Sequence, residues 1–226
     1  MLCLLCGFLL GQGGDPPARL SETEEAALRA TVRIYNSAKE QGGTAVAIGR
    51  VGPAVYLLTS AHVVEGADRV EAHVFVNNGD KMHKKLADVA VVGKTGKLEQ
   101  DLALLRIAAA GDDFAKVVPL AKTGKSVPKM PCTAFSTGCT EFLTPTVQPE
   151  TILDAALVRK TGANEAARFW KCKAAPVEGR SGGPLLLPDG SLVGICSGGD
   201  GKNSYFTHID EIRRFLKGQG LRFLSE

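Results

Sequence analysis

The amino-acid sequence predicts an all-β protein with a short helix at each end. Of its 226 residues, 26 are glycine and only 6% are aromatic, which suits many short strands and tight turns better than a helical bundle. From Thr31 onward, short apolar runs are separated by turn residues, as is typical of strands. The predicted strands are 31–35, 44–48, 54–58, 70–76, 87–92, 102–107, 133–136, 151–158, 169–173, 184–187, 192–196 and 205–207.

The helix near the N-terminus is predicted by a capping box. Ser21 can accept a hydrogen bond from the third helical amide while Glu24 reaches back, so a short helix is expected through residues 26–30. Near the C-terminus, residues 209–217 place their apolar side chains on one helical face, and Gly218 is well placed to end that helix.

Charge and residue type argue against several classes of partner. The formal net charge is +3, which gives no reason to expect nucleic acid or an anionic membrane surface as a partner. The densest basic run, residues 81–85, stands alone and is predicted to be a solvated loop rather than a phosphate-binding patch. The four histidines are scattered and no cysteine pair is suitably placed, so neither a metal site nor a cofactor is expected.

The first ten residues form an uninterrupted apolar run. About nine apolar residues are too few for a bilayer span, which needs roughly twenty, so no stable membrane insertion is expected. The length fits the core of a secretory signal, and small residues follow where a peptidase would cut. Residues 1–14 are therefore predicted to be a signal peptide of an exported, periplasmic or secreted protein, although the usual positive leader is absent. The alternative is an apolar tail packed on the domain.

Cysteine usage is consistent with export. Outside the apolar run, an even number of cysteines remains, which in an exported protein favours disulfides. The simplest pairing joins Cys132 to Cys139 and Cys172 to Cys196. Three pairings are possible in principle, and four buried free thiols are the alternative.

Three short stretches carry side chains that could act together in catalysis. His62 follows an apolar strand, Asp101 opens another, and Ser181 stands in the glycine-rich run 179–183. A serine hydroxyl needs a base to take its proton during attack, and histidine titrates near neutral pH. A carboxylate on the far ring nitrogen fixes the histidine tautomer and stabilises the imidazolium as it forms. The sequence therefore predicts a catalytic triad of His62, Asp101 and Ser181, with the amides of Gly179 and Ser181 as the oxyanion hole.

The order of these residues along the chain decides between two folds. The pattern G-x-S-x-G around Ser181 also fits a strand-turn-helix esterase elbow, which requires Ser, then Asp or Glu, then His downstream. After Ser181, however, the chain enters an apolar run that turns at residues 188–190 and does not open a helix. The order His, Asp, Ser excludes the esterase and favours a two-barrel serine protease.

The segments TSAHVV, DLALLR and GRSGGPLL, which contain His62, Asp101 and Ser181, resemble the signature segments of the trypsin-like serine endopeptidases of the chymotrypsin fold. The chain is most similar in texture to the bacterial branch that includes the HtrA and glutamyl-specific proteases. The similarity runs from about Thr31 to the C-terminus. All three segments occur in the family's order, 39 and 80 residues apart, which makes the resemblance specific.

This resemblance implies two perpendicular six-stranded Greek-key barrels with the site in the cleft between them. The first barrel, residues 31–120, would carry the histidine and the aspartate. The second, residues 121–226, would carry the serine and end in the C-terminal helix. Residues 15–30 would form a linker and the short N-terminal helix.

The resemblance also assigns residues around the substrate. Ser197 matches a serine that in the family hydrogen-bonds the triad aspartate, and it lies in the strand that would pair with the substrate backbone. Gly198 and Gly199 would keep the wall of the specificity pocket open. His208 lies near the position where the family builds the floor of that pocket, and it is a candidate for binding an acidic side chain.

Two positions depart from the better-known members of this family. Arg180 stands where the digestive relatives carry Asp to bind a newly freed N-terminal ammonium, so activation by that route is not expected. Ala175, six residues before Ser181, replaces the Asp of proteases that cut after Lys or Arg, so a preference for basic residues is not expected. The PDZ module that follows the catalytic region in many HtrA proteins is not expected here.

The function expected from these residues is hydrolysis of peptide bonds in protein or peptide substrates through an acyl-enzyme. The alternative is a catalytically silent protein that binds peptides in the cleft of a protease fold. The sequence leaves the oligomeric state open.

Overall fold

The computed structural model of the protein describes residues 19–76, 81–91, 100–108, 116–122, 129–140, 144–159 and 165–221. The predicted signal peptide, residues 1–14, lies outside these ranges. In chain order the elements are α1 (Glu22–Ala30), β1 (Thr31–Asn36), β2 (Gln41–Val51), β3 (Ala54–Thr59), a 3₁₀ turn (Ala61–Val64), β4 (Arg69–Val76), β5 (Lys81–Val91), β6 (Ala103–Ala108), β7 (Cys132–Cys139), β8 (Pro145–Val158), β9 (Ala167–Cys172), β10 (Pro184–Leu186), β11 (Leu192–Gly199), β12 (Ser204–His208) and α2 (Ile209–Gly218).

The strands in the described part of the chain form two closed barrels of six strands each. The first barrel has the order β1-β2-β3-β6-β5-β4, and the second has the order β10-β11-β12-β9-β8-β7. Every predicted strand corresponds to one of these. The predicted fold class, an all-β chain of two six-stranded barrels with short helices near its ends, is confirmed.

Apolar pairs across neighbouring strands explain why the barrels close and dock. Strands β3 and β6 pair so that Leu57 faces Leu105 and Leu58 faces Leu104, and all four side chains are fully buried. Successive residues of a strand point to opposite faces of the sheet, so strands β3 and β6 are buried on both faces at this point. Each buried leucine contributes about 2 kcal/mol. The same apolar cluster continues into Ile195 of β11 and Ile212 of α2, so it joins the two barrels, and a second cluster around Trp170 lies within the second barrel.

The helices begin where their caps place them. At α1 the predicted capping box is present: the Glu24 amide donates to Ser21 Oγ at 3.2 Å, and the Ser21 amide donates to Glu24 Oε2 at 2.8 Å. This cap starts the helix at Glu22, and the helix runs to Ala30 as predicted. Neither of the helices in the described ranges is long and apolar enough to cross a membrane.

The basic run 81–85 is a strand, so its prediction as a solvated loop was wrong. It forms the first half of β5, where Lys84 lies opposite His73 and Lys85 lies opposite Ala72 of β4. Lysine has a low strand propensity, but backbone pairing with a neighbouring strand overrides it here. The Lys84 ammonium lies 3.2 Å from the Glu71 carboxylate, an exposed cross-strand ion pair.

The four cysteines of the second barrel are free thiols, so the predicted disulfides are absent. Cys132 and Cys139 lie at opposite ends of β7, which separates them by about 23 Å at roughly 3.3 Å per residue. Cys172 in β9 and Cys196 in β11 are separated by the intervening strand β12, about 10 Å across. A disulfide requires Cα atoms closer than about 7 Å, so neither pair can form one without moving the backbone.

Burial is expected to make these thiols resistant to alkylation. It raises the pKa of Cys139 to about 12 and that of Cys196 to about 11, and it raises the pKa of Cys172 as well. Each unit above the usual value near 8.5 lowers the reactive thiolate fraction about tenfold at neutral pH. Iodoacetamide followed by peptide mapping should show these three labelled at least about a hundredfold more slowly than in the unfolded chain. Disulfide-linked peptides recovered from the unreduced protein would contradict this and restore the predicted pairing.

Candidate active site

His62 and Asp101 are brought together at the edge of the first barrel. His62 lies in the 3₁₀ turn that follows β3, and its imidazole Nδ1 is 2.8 Å from Asp101 Oδ2. The backbone amide of His62 donates to the other carboxylate oxygen, Oδ1, at 3.0 Å. Because both oxygens bind the same residue, the carboxylate is fixed in the plane that the imidazole needs. The side chain of His62 remains 31% exposed, so one edge of the ring faces the cleft.

Asp101 is a buried carboxylate whose charge is compensated by hydrogen bonds. Its side chain is only 2% exposed. Besides the two contacts from His62, Ser197 Oγ of β11 donates to Oδ2, so the second barrel also supplies a hydrogen bond to the Asp101 carboxylate. The Asp101 carbonyl accepts from the Ala61 amide at 3.2 Å, which ties the segment to the turn that carries the histidine. A buried carboxylate is tolerated only when donors satisfy it in this way.

The loop that carries Ser181 depends on two glycines. Gly179 has φ +83° and Gly182 has φ +86°, both in the left-handed region that favours glycine. Space also excludes side chains: a Cβ on Gly179 would lie 2.6 Å from the Cys139 carbonyl oxygen, and one on Gly182 would lie 2.0 Å from the Thr44 carbonyl oxygen. The loop is therefore packed against both β7 and β2.

Two residues of the first barrel bind this part of the second barrel. The Thr44 amide donates to the Ser181 carbonyl at 2.7 Å, and Thr44 Oγ1 donates to the Gly179 carbonyl at 2.8 Å. Ser60, two residues before the histidine, donates from Oγ to the Cys196 carbonyl at 2.6 Å. The loop with Ser181 is thus held beside the segment that carries His62.

The polar groups that a reaction would use have no hydrogen-bond partner among the described residues. Within the ranges that the structure describes, the amides of Gly179 and Ser181 donate to no protein acceptor. In the same ranges Ser181 Oγ makes no hydrogen bond, and neither does His62 Nε2. The contact between a nucleophile and its base often tightens only when substrate binds.

The sequence from β2 to β11 decides the family. Residues 43–195, about two thirds of the chain, match the family model of the trypsin-like peptidase domain. The chain belongs to this family. It is a serine endopeptidase, a hydrolase that cleaves peptide bonds in protein or peptide substrates.

Solved structures show the same fold. The Rv3671c protease from M. tuberculosis in its active form matches this peptidase with a TM-score of 0.70 at 18% identity, over 90% of this chain and 92% of that one. The HtrA-type protease AlgW with tripeptide matches with a TM-score of 0.66 at 22% identity, over 88% and 65%. The serine endoprotease from Yersinia pestis matches with a TM-score of 0.63 at 22% identity, over 91% and 68%. No curated protein sequence matches the chain.

Arg180, the residue before Ser181 in this peptidase, points into the second barrel. It is 5% exposed, and its guanidinium binds the hairpin of β7 and β8. Nη2 donates to the Ser136 carbonyl at 3.0 Å and Nη1 donates to Thr146 Oγ1 at 2.9 Å. Its aliphatic stem crosses Gly138, where a Cβ would lie 3.1 Å from the stem. The residue that precedes the serine is therefore anchored by neutral acceptors of its own barrel.

Glu150 of β8 provides the opposite charge near Arg180. It is 5% exposed, and burial raises the pKa of its carboxyl, while the hydrogen bond from Ser136 and the nearby guanidinium oppose that rise. Ser136 Oγ donates to Glu150 Oε1 at 3.1 Å and also accepts from Arg180 Nη2 at 3.1 Å. A hydroxyl thus bridges the buried cation and the carboxyl.

Of the predicted specificity-pocket residues, Ala175 lines a pocket of the second barrel, and Gly199 packs against the neighbouring Pro176. Ala175 lines a pocket together with Pro176 and Val177 on one side and with residues of β11 and β12 on the other. At Gly199 a Cβ would lie 2.6 Å from Pro176 Cγ, so the two walls touch there and only glycine fits. At Gly198 a Cβ would meet open space. The pocket therefore has a narrow waist.

Two buried polar atoms without a partner among the described residues belong to side chains that line this pocket. Glu150 Oε2 and Ser204 Oγ have no hydrogen-bond partner there, and both residues line the pocket. Buried polar atoms are normally satisfied, so unsatisfied ones in a pocket indicate where a polar group of a ligand can bind.

The structure does not bring His208 to the pocket. Its Nδ1 accepts from the Asp210 amide at 3.1 Å and caps α2, and its ring packs on Trp170 with centroids 4.0 Å apart. It is 2% exposed. Burial lowers the pKa of His208 to about 4, so the ring is neutral near pH 7 and carries no charge for an acidic side chain.

Sequence reasoning missed the residues that hold the site from a distance. Thr44 binds a loop 135 residues further along the chain, and its position at the start of a predicted strand carries no signal of that contact. Gln100 and Glu211 bind each other across 111 residues, again without a local pattern. Only the barrel topology places them together.

Proposed function

We propose that this peptidase cleaves its substrates through an acyl-enzyme formed on Ser181. In this proposal His62 removes the hydroxyl proton as Ser181 attacks the scissile carbonyl, and later gives it to the leaving amine. Asp101 holds the imidazole tautomer and stabilises the imidazolium. The observation that carries the proposal is the pair of contacts from His62 to both oxygens of the buried Asp101, at 2.8 and 3.0 Å.

The oxyanion of the tetrahedral intermediate would bind the amides of Gly179 and Ser181. Both amides are free of protein acceptors within the described residues, and Thr44 holds the carbonyls of the same two residues. Donors that are fixed before the reaction stabilise the developing charge without reorganisation, and one such donor contributes about 10²–10³ in kcat.

The pocket that contains Ala175 would receive the side chain before the scissile bond. The contact between Pro176 and Gly199 leaves no room for an aromatic ring between the walls. The unpaired oxygens of Glu150 and Ser204 favour a side chain with a hydrogen-bonding group. The proposed substrate side chain is therefore small and polar. Ser197 would lie in the strand that pairs with the substrate backbone, and Gly198 and Gly199 would form the adjoining wall of the pocket.

Export is part of the same proposal. The apolar run of the first ten residues, followed by small residues, has the length of a secretory signal core. The proposed site of action is therefore the periplasm or the extracellular space.

One observation favours a second candidate, a peptide-binding protein without turnover. Ser181 Oγ and His62 Nε2 make no hydrogen bond to each other, although the rest of the site is assembled. If that contact does not form with substrate present, peptides would bind in the cleft without being cleaved.

Labelling with a serine-reactive phosphonate separates the two candidates. The wild type is expected to be labelled at Ser181, and His62→Ala is expected to slow labelling by about 10²–10⁴-fold because the base is lost. His83→Ala removes another histidine of the first barrel, in β5, and serves as the matched control. An unlabelled wild type with a native circular-dichroism spectrum would favour the binding protein.

A further inference from the structure

The backbone of Asp101 adopts a conformation that needs support. Its φ is +51°, and Glu40 is the only other non-glycine residue with a positive φ among the described residues. The left-handed region is unfavourable for residues with a Cβ, although aspartate adopts it more readily than most, so contacts from the surrounding structure help to hold such a residue in place. In this conformation the carboxylate meets both the amide and the ring of His62.

The residue before Asp101 is bound twice by the second barrel. The Gln100 carbonyl accepts from Thr207 Oγ1 of β12 at 2.7 Å. The Gln100 side chain donates from Nε2 to Glu211 Oε2 of α2 at 2.8 Å. One residue is therefore fixed through its main chain and its side chain immediately before the chain enters the left-handed turn.

Glu211 is itself a fixed group. Its residue is 5% exposed, and both carboxylate oxygens have donors. The Arg168 amide of β9 donates to Oε1 at 3.2 Å, and Arg214 Nη1 donates to Oε2 at 2.6 Å. A buried carboxylate with donors on both oxygens keeps one orientation, so it is a firm acceptor for Gln100.

We propose that Gln100 and Glu211 are positioning residues for Asp101: they transmit the position of helix α2 to the carboxylate that orients His62. The inference rests on the proposed triad. In this view the position of Asp101, in the first barrel, depends on helix α2, which follows the second barrel. Neither residue touches the substrate, so the effect belongs in the turnover rate and not in substrate affinity.

The test compares Gln100→Ala with Arg214→Ala. Gln100→Ala removes the link to Asp101 and leaves the other donors of Glu211 in place. Arg214→Ala removes a donor to the same Glu211 oxygen from the solvent side, where the Arg214 side chain is 67% exposed. Both variants alter the surroundings of Glu211, but only the first removes the side-chain link between Glu211 and the segment of Asp101, while the bond from Thr207 to the main chain remains.

Gln100→Ala is expected to lower kcat about 10- to 100-fold with KM changed less than twofold, as small misplacements of catalytic groups do. Arg214→Ala is expected to keep kcat within about twofold. Glu211→Gln retains an acceptor for Gln100 and should keep most of the kcat that Glu211→Ala loses. Equal kcat in Gln100→Ala and Arg214→Ala, per active site titrated with phosphonate, would overturn the inference.

A spectroscopic readout separates this inference from the proposed function. The proton between His62 Nδ1 and Asp101 gives a far-downfield NMR signal when that hydrogen bond is held in place. We expect the signal to weaken or shift in Gln100→Ala and to persist in Arg214→Ala, whether or not the enzyme turns over. An unchanged signal in Gln100→Ala overturns the positioning role, whereas a wild type that neither cleaves peptides nor reacts with phosphonate overturns the proposed triad.

Discussion

Replacing Ser181 by alanine is expected to lower kcat for peptide cleavage by about 10⁶. The hydroxyl would be the attacking group, and the hydrogen bonds from Thr44 to its loop go to backbone carbonyls and not to that oxygen. The substitution should therefore leave the fold intact: Gly179 and Gly182 keep their positive φ, and the Thr44 contacts involve only backbone carbonyls of the loop.

A proteome-derived peptide library, digested by the full-length chain and read by mass spectrometry, measures this effect. Ser191→Ala is the matched control, because Ser191 also lies in a turn that contains a left-handed glycine, Gly190, and its hydroxyl donates to Asp189. Cleavage by the wild type and the control but not by Ser181→Ala would establish the nucleophile. The residue before each cut would report the pocket preference, with small polar residues expected. Equal cleavage by wild type and Ser181→Ala would exclude Ser181 as the nucleophile.

Replacing Arg180 by methionine is expected to destabilise the protein by about 3–5 kcal/mol. Methionine fills a similar volume but donates no hydrogen bond, so the buried groups that pair with the guanidinium would be left without a partner. The Ser136 and Thr146 acceptors would lose their donor, and Glu150 would lose its nearby cation. For a chain of this length the Tm should fall by about 10 °C. The loop that carries Ser181 would lose its anchor at the same time, so activity should fall at temperatures where the variant is still folded.

Thermal unfolding and urea titration give the change in stability, and phosphonate labelling of the folded variant gives the change at the site. Arg106→Met is the control, since Arg106 is an exposed arginine of β6. The double variant Arg180→Met with Glu150→Gln should be more stable than the sum of the two single changes predicts, because removing both charges leaves neither uncompensated. Additive effects would mean that the two charges do not interact.

How far the sequence predicts the molecule depends on whether a feature is local. Strands and helices follow from residues that are close in the chain, such as the capping box at Ser21 or the short apolar runs between turn residues, and these predictions were confirmed. The motifs around His62, Asp101 and Ser181 predicted that these three residues form one site, and the structure brings the first two into contact. Their catalytic roles remain predictions.

What the sequence could not predict depends on distant contacts. An arginine between glycine and serine has no local reason to be buried, and only the β7–β8 hairpin supplies acceptors for Arg180. An even number of cysteines favoured disulfides, but the extended path of β7 separates Cys132 from Cys139. His208 lies near the expected pocket in sequence, yet the start of α2 turns its ring toward Trp170.

The hydrogen bonds from Thr44 and Ser60 across the cleft bear on how this peptidase can digest itself. Each joins one barrel to the other, through the Ser181 carbonyl at 2.7 Å and the Cys196 carbonyl at 2.6 Å. A molecule in which either barrel opens loses these links, and it ceases to be a catalyst at the moment its strands become cleavable. Self-digestion must therefore be an encounter between one intact copy and one opened copy. Its rate then scales with the product of their concentrations, so dilution protects the enzyme.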